Sequence, residues 1–82
     1  MRVVVIAPDR PVFDGEADAL TAPAYDGEVG ILPRHAPFLT MLGVGRVTVR
    51  SAGGTISFQV RGGFLQVVDD TVRVVAEDAH AE

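Results

Sequence analysis

The sequence predicts an all-β fold, and three observations carry that prediction. Residues 55–61 alternate cleanly: Ile56, Phe58 and Val60 fall on one face, Thr55, Ser57, Gln59 and Arg61 on the other. Short apolar runs recur along the chain, separated by Gly, Pro and Asp turn signals. No stretch offers a helical period long enough to stand alone.

Taken in order, residues 2–7 are apolar on both faces, which suits a strand covered on both sides or lying at a sheet junction. Pro8-Asp9-Arg10-Pro11 reads as a turn, and Val12-Phe13 resumes the extended path before Asp14-Gly15. Residues 16–22 have some helical composition. Gly15 and Pro23 confine them to about two turns, too short to stand alone, so they read as a strand. Residues 38–42 are extended up to Gly43, and residues 44–50 place Val47 and Val49 on one face. Ser51-Ala52-Gly53-Gly54 is a hairpin link, Gly62-Gly63 a corner or bulge, and Asp69-Asp70 the turn of a second hairpin. Residues 77–82 are polar and are expected to fray, with the domain proper taken as residues 1–79 and the tail as 80–82. The expected core is Val5, Phe13, Ile31, Leu42, Val47, Val49, Ile56, Phe58, Val60, Leu65, Val67, Val72 and Val74.

The chain has 82 residues, room for one domain. It contains no Cys, which removes disulfides and thiolate zinc sites. Formal net charge is −4, with seven Arg and no Lys against eleven carboxylates. That balance argues against a nucleic-acid binder, which needs a basic stripe for phosphates. The N-terminal apolar run ends at Pro8-Asp9, too soon for a signal peptide, and no run approaches transmembrane length.

Chemistry is sparse. His35 and His80 lie far apart and form no metal-spaced pair. Neither Ser51 nor Ser57 has the context of a nucleophile elbow. A phosphate loop would need a Lys and a helix, and neither is present, so no nucleotide site is expected. Asp69-Asp70 lacks the spaced oxygen ligands of a calcium loop. The residues point to a non-catalytic binding module without a cofactor.

The most specified stretch is residues 26–40, D-G-E-V-G-I-L-P-R-H-A-P-F-L-T. Gly27 and Gly30 bracket a short extended piece, and Pro33 and Pro37 keep Leu32 and Ala36 out of the helical region. Arg34-His35-Ala36 bridges two rigid corners. This run resembles the signature of the epsilon subunit of F-type rotary ATP synthases, equivalent to the mitochondrial delta subunit. The resemblance extends to Phe13-Asp14-Gly15-Glu16, Leu20-Thr21-Ala22-Pro23 and Gly45-Arg46-Val47. It includes Phe58-Gln59-Val60, the run from Gly62-Gly63-Phe64 through Val67, and Val74-Val75-Ala76-Glu77-Asp78-Ala79.

The resemblance implies a ten-stranded β-sandwich of two five-stranded sheets. It implies a place in the central stalk, gripping the gamma subunit and resting on the c-subunit ring at the cytoplasmic face of the bacterial inner membrane, peripheral and without membrane insertion. On that analogy Glu28, Arg34 and His35 face the ring, and Leu39, Thr40, Met41 and Leu42 lie toward gamma. The family pattern continues into a C-terminal helical hairpin with inhibitory and nucleotide-sensing roles. These 82 residues stop at Glu82, so those roles are not carried over. The competing expectation is a free-standing β-sandwich that binds a small ligand or carbohydrate. It would need surface aromatics, and the chain offers only Tyr25 and four Phe.

Overall fold

The computed structural model describes all 82 residues and contains eight strands and no helix. They are β1 (Arg2–Ala7), β2 (Arg10–Glu16), β3 (Ala19–Ala24), β4 (Gly27–Ile31), β5 (Phe38–Met41), β6 (Val44–Ser51), β7 (Gly54–Val68) and β8 (Thr71–Ala81). Seven of them run β2-β1-β8-β7-β6-β3-β4 across one sheet, with β5 paired to β7 off that path. Pairing is antiparallel except between β1 and β8, which lie parallel.

The organising strand is β7. At roughly 3.3 Å per residue its 15 residues would span about 50 Å if straight. The longest dimension of the molecule is 25 Å, so β7 must bend sharply. The bend falls at Gly62-Gly63. Before it, β7 pairs with β6; after it, with β5; β8 stays in one register throughout. Gly63 has φ of 107°, and a Cβ there would lie 1.9 Å from the Val75 carbonyl oxygen, so only glycine fits.

At this corner the inward-facing phase changes. Phe58 and Val60 are buried before it, Leu65 and Val67 after it, a switch from even to odd positions. The same switch separates Leu42 from Val47 and Val49, and Val72, Val74 and Ala76 from Ala79. Each of these neighbouring strands loses its alternation where the sheet folds over. The two halves then face each other around one core of 18 buried residues, all apolar. Phe13 of β2 meets Phe58 of β7 across this core, ring centroids 5.8 Å apart.

Several expectations are corrected. The ten strands in two five-stranded sheets are not found: eight strands hydrogen-bond in one sheet, because β7 and β8 cross the corner unbroken and serve both halves. Arg10-Pro11 belongs to β2 rather than to a turn. Proline is tolerated there because β2 is an edge strand, and the pairing shifts register beside Pro11. The residues expected to fray lie in the sheet. β8 continues to Ala81, His80 pairs with Gln59, the Glu82 amide donates to the Ser57 carbonyl, and Arg46 pairs with the Glu82 carboxylate at 2.7 Å. Ile56 is 42% exposed, since it sits next to the hairpin turn where the facing sheet no longer covers it. Phe13 is half-buried. The other eleven expected core residues are buried, joined by Val3, Leu20 and the alanines Ala7, Ala17, Ala22, Ala76 and Ala79.

Candidate functional site

The sandwich is open along one seam. β4 is the edge of one half, β5 the edge of the other, and no hydrogen-bond ladder closes them. A groove of about 910 Å³ runs between them, lined by Tyr25 and Glu28 on one side and Phe38, Leu39, Met41 and Phe64 on the other. The period of β5 decides what it shows. Thr40 stands opposite buried Leu65 and Phe38 opposite buried Val67, so these two turn inward. Leu39 and Met41, opposite Gln66 and Phe64, turn outward and are 67% and 61% exposed. Tyr25, at the β3–β4 turn, is 72% exposed.

Behind the groove lies an apolar row on the outer face of the sheet. Ile6, Val75, Phe64 and Met41 are successive cross-strand partners over β1, β8, β7 and β5. This explains why residues 2–7 are apolar on both faces: Val3, Val5 and Ala7 enter the core, while Ile6 joins the outer row. The opposite half presents Arg46, Thr48 and Arg50 on β6 against Gln59, Ser57 and Thr55 on β7, an ordinary solvated face. The two outer faces therefore differ in polarity.

Residues 32–37 form the second part of the site. The His35 amide donates to the Leu32 carbonyl at 3.2 Å, closing a turn with Pro33 in its second position and Arg34 in its third. Arg34 has φ of 64°, the left-handed value a type II turn demands there. Its amide donates to the Asp70 carboxylate at 2.7 Å. His35 Nδ1 lies 2.7 Å from the Ala36 carbonyl oxygen and so carries a proton, which in the neutral ring leaves Nε2 as the acceptor. The imidazole stands edge-on to Phe38 at 5.6 Å.

The residues expected to act together are thus divided between two places. Glu28 lines the groove together with Leu39, Thr40 and Met41, whereas Arg34 and His35 sit on the loop tied to Asp70. Leu42 is buried at the corner, 5% exposed, bridging Ala24. Phe64 and the outer row were not singled out in the sequence. The signal was present in the phase change after Gly62-Gly63, which turns Phe64 outward when Phe58 and Val60 point in.

The family model for the ATP synthase Delta/Epsilon chain, β-sandwich domain, matches residues 1–82. The chain belongs to that family. Among curated relatives, the ATP synthase epsilon chain of Caulobacter vibrioides is 41% identical over 75 residues, 92% of this chain and 87% of that one. The epsilon chain of Nitratidesulfovibrio vulgaris is 42% identical over 79 residues, 96% of this chain and 59% of that one. The chain therefore spans most of one relative and little more than half of the other. Among solved structures, a chain of the Euglena gracilis mitochondrial ATP synthase, an assembly with OSCP, F1 and c-ring, superposes with a TM-score of 0.88 at 26% identity. That match covers 96% of this chain and 51% of the other. A chain of the Tetrahymena thermophila mitochondrial ATP synthase central stalk and c-ring superposes at 0.78 with 22% identity, over 96% of this chain and 64% of that one, and shows the shared fold. As an epsilon/delta-type domain the chain has no helix long and apolar enough to cross a membrane.

Proposed function

We propose that the chain is a non-catalytic central-stalk subunit of a proton-translocating F-type ATP synthase, coupling the gamma subunit to the c-subunit ring at the cytoplasmic face of the bacterial inner membrane. The observation that carries this reading is the family match over all 82 residues. The asymmetry of the surface supports it: one outer face carries an apolar row that ends in a groove, and the other is mostly polar.

In this reading β5 lies toward gamma. Leu39 and Met41 supply the side-chain contact, while Thr40 and buried Leu42 hold the strand in register. Outward apolar residues rimmed by polar ones are the composition expected of a protein interface. Glu28, Arg34 and His35 contact the polar loops of the ring, Glu28 as a carboxylate at the mouth of the groove and His35 as a ring held by its own backbone. Both come from segments fixed by Gly and Pro, and that rigidity lowers the entropy lost on docking.

The groove also has the volume of a ligand pocket and contains Tyr25 and Phe38, which keeps the small-ligand or carbohydrate reading testable. Reconstitution separates the two. A synthase lacking its epsilon subunit is supplied with this chain, and ATP-driven proton pumping is measured. Restored pumping is the expected result. No restoration, together with saturable binding of a glycan or small molecule in the groove, would replace the stalk reading with the ligand reading.

A further inference from the structure

We infer that Asp70 is a positioning residue: by accepting the Arg34 amide it locks the 32–37 loop and sets how Arg34 and His35 are presented. The chain has three non-glycine residues with left-handed backbones, Arg34, Asp69 and Asp70. Two of these are bonded to each other although 36 positions apart in sequence. Each sits where a turn favours Gly or Asn: Arg34 third in a type II turn, Asp69-Asp70 as the two-residue loop between Val68 and Thr71. Glycine would be the easier residue at either site. The structure shows what the harder choice accomplishes at Asp70. Its side chain reaches across to a backbone donor that the sandwich does not otherwise satisfy.

The bond stands alone in its role. The other hydrogen bonds made by residues 32–37 stay within the loop, from His35 to Leu32 and to Ala36. The Arg34–Asp70 bond is therefore the loop's one hydrogen bond to another part of the chain, at 2.7 Å and with an ionised acceptor, the stronger class. Asp70 is itself held. Its carbonyl accepts the Arg2 amide at 3.0 Å, and its second carboxylate oxygen lies 3.8 Å from the amino nitrogen of Met1. A carboxylate fixed from behind can fix the loop in front. Without it, Arg34 would leave the left-handed region, which only glycine occupies without cost, and the turn closed by His35 would open.

The lock follows from geometry alone; that it serves a partner rests on the stalk reading proposed above. The test uses the whole chain with Asp70→Gly, Asp70→Asn, Arg34→Gly and the Asp70→Gly/Arg34→Gly pair. Amide exchange at Arg34 and His35 is followed by NMR, and binding to an assembled gamma–c-ring complex by calorimetry. Glycine accepts the left-handed turn, so Asp70→Gly keeps the fold and loses only the acceptor. It should speed exchange at His35 by at least about tenfold, the lower end of the scale for one hydrogen bond to a charged group. Asp70→Asn retains an oxygen acceptor and should keep the protection. Arg34→Gly should restore His35 protection in the Asp70→Gly background, because glycine needs no lock. Unchanged exchange in Asp70→Gly, or failure of Arg34→Gly to restore it, overturns the inference. Exchange that responds as stated while binding is the same in all variants supports the lock and instead overturns the ring contact assigned to this loop.

Discussion

The amide of Leu42 donates to the carbonyl of Gly63 at 2.9 Å, across the corner where the sheet folds over. Gly62 returns a bond to the Gly43 carbonyl at 3.2 Å, and Gly43 donates to Pro23 at 2.8 Å, so β3, β7 and the link between β5 and β6 are tied at one place. The fold hinges on this knot. Gly63→Ala would set a methyl against the Val75 carbonyl at a backbone angle that L-residues avoid. The expected loss is roughly 3 kcal/mol or more, from strain and steric displacement together. Chemical denaturation measures it, and a variant of unchanged stability would show that the corner relaxes freely.

The end of β8 should matter to stability. Ala79 is buried, and residues 78–81 pair with residues 58–61 of β7. Removing residues 77–82 strips that partner from β7 and uncovers Phe58 and Val60. A loss of about 2 kcal/mol, for one strand end and its buried alanine, would lower the Tm by about 8–16 °C in a domain of this size. A thermal melt by circular dichroism checks it. An unchanged melt would return the tail to the frayed state that its polarity suggests.

Arg2 grips Asp14 through two bonds, Nε to Oδ1 at 3.0 Å and Nη2 to Oδ2 at 2.7 Å. Hydrogen bonding from Arg2, more than charge attraction, holds the Asp14 carboxyl below the usual carboxylate range. A carboxyl lowered in the folded state stabilises the fold above its unfolded value, and that contribution fades as pH falls through the lower folded value. As pH falls below about 4, the ordinary carboxylate value, the wild type should therefore lose stability that Asp14→Asn does not have to lose. Melting curves of both proteins across this range test the point. The pair is exposed, so the difference should be small and should shrink further in salt. Parallel curves would remove Asp14 from the acid response.

How much of this was legible in the sequence differs by region. Residues 55–61 announced their inner face because Phe58 and Val60 are large and alternate with polar partners. Gly62-Gly63 announced a corner, since paired glycines interrupt such a pattern for little other reason. The corner's effect on phase was harder to see. In β8 it falls at Glu77, where the inward residues are alanines, and small side chains beside acidic ones read as a solvated tail. Asp69-Asp70 read correctly as a turn, but no local pattern could show that Asp70 reaches Arg34, 36 residues away. The site behaved in the same way. Residues 26–40 stood out by their punctuation, whereas Phe64 and the outer row depend on which strands become neighbours, which is a property of topology and not of any window.

Glu28 is exposed at the mouth of the groove, on an edge strand, with no ion-pair partner. Glu28→Lys should leave the melt within about 0.5 kcal/mol of wild type, as for most surface changes. At a docked ring loop the reversed charge should cost up to several kcal/mol and weaken ATP-driven proton pumping in the reconstituted enzyme. Pumping at wild-type rates with a normal melt would take Glu28 out of the ring contact.

The most direct test of the stalk reading is a calorimetric titration of the gamma subunit with this chain, wild type and Leu39→Glu/Met41→Glu. Leu39 and Met41 face outward, so the double variant should melt as the wild type does. The account predicts saturable binding by the wild type and a loss of at least about 100-fold in the variant, some 2.7 kcal/mol, from two carboxylates placed in an apolar contact. No binding by the wild type, or equal binding by both, would contradict it.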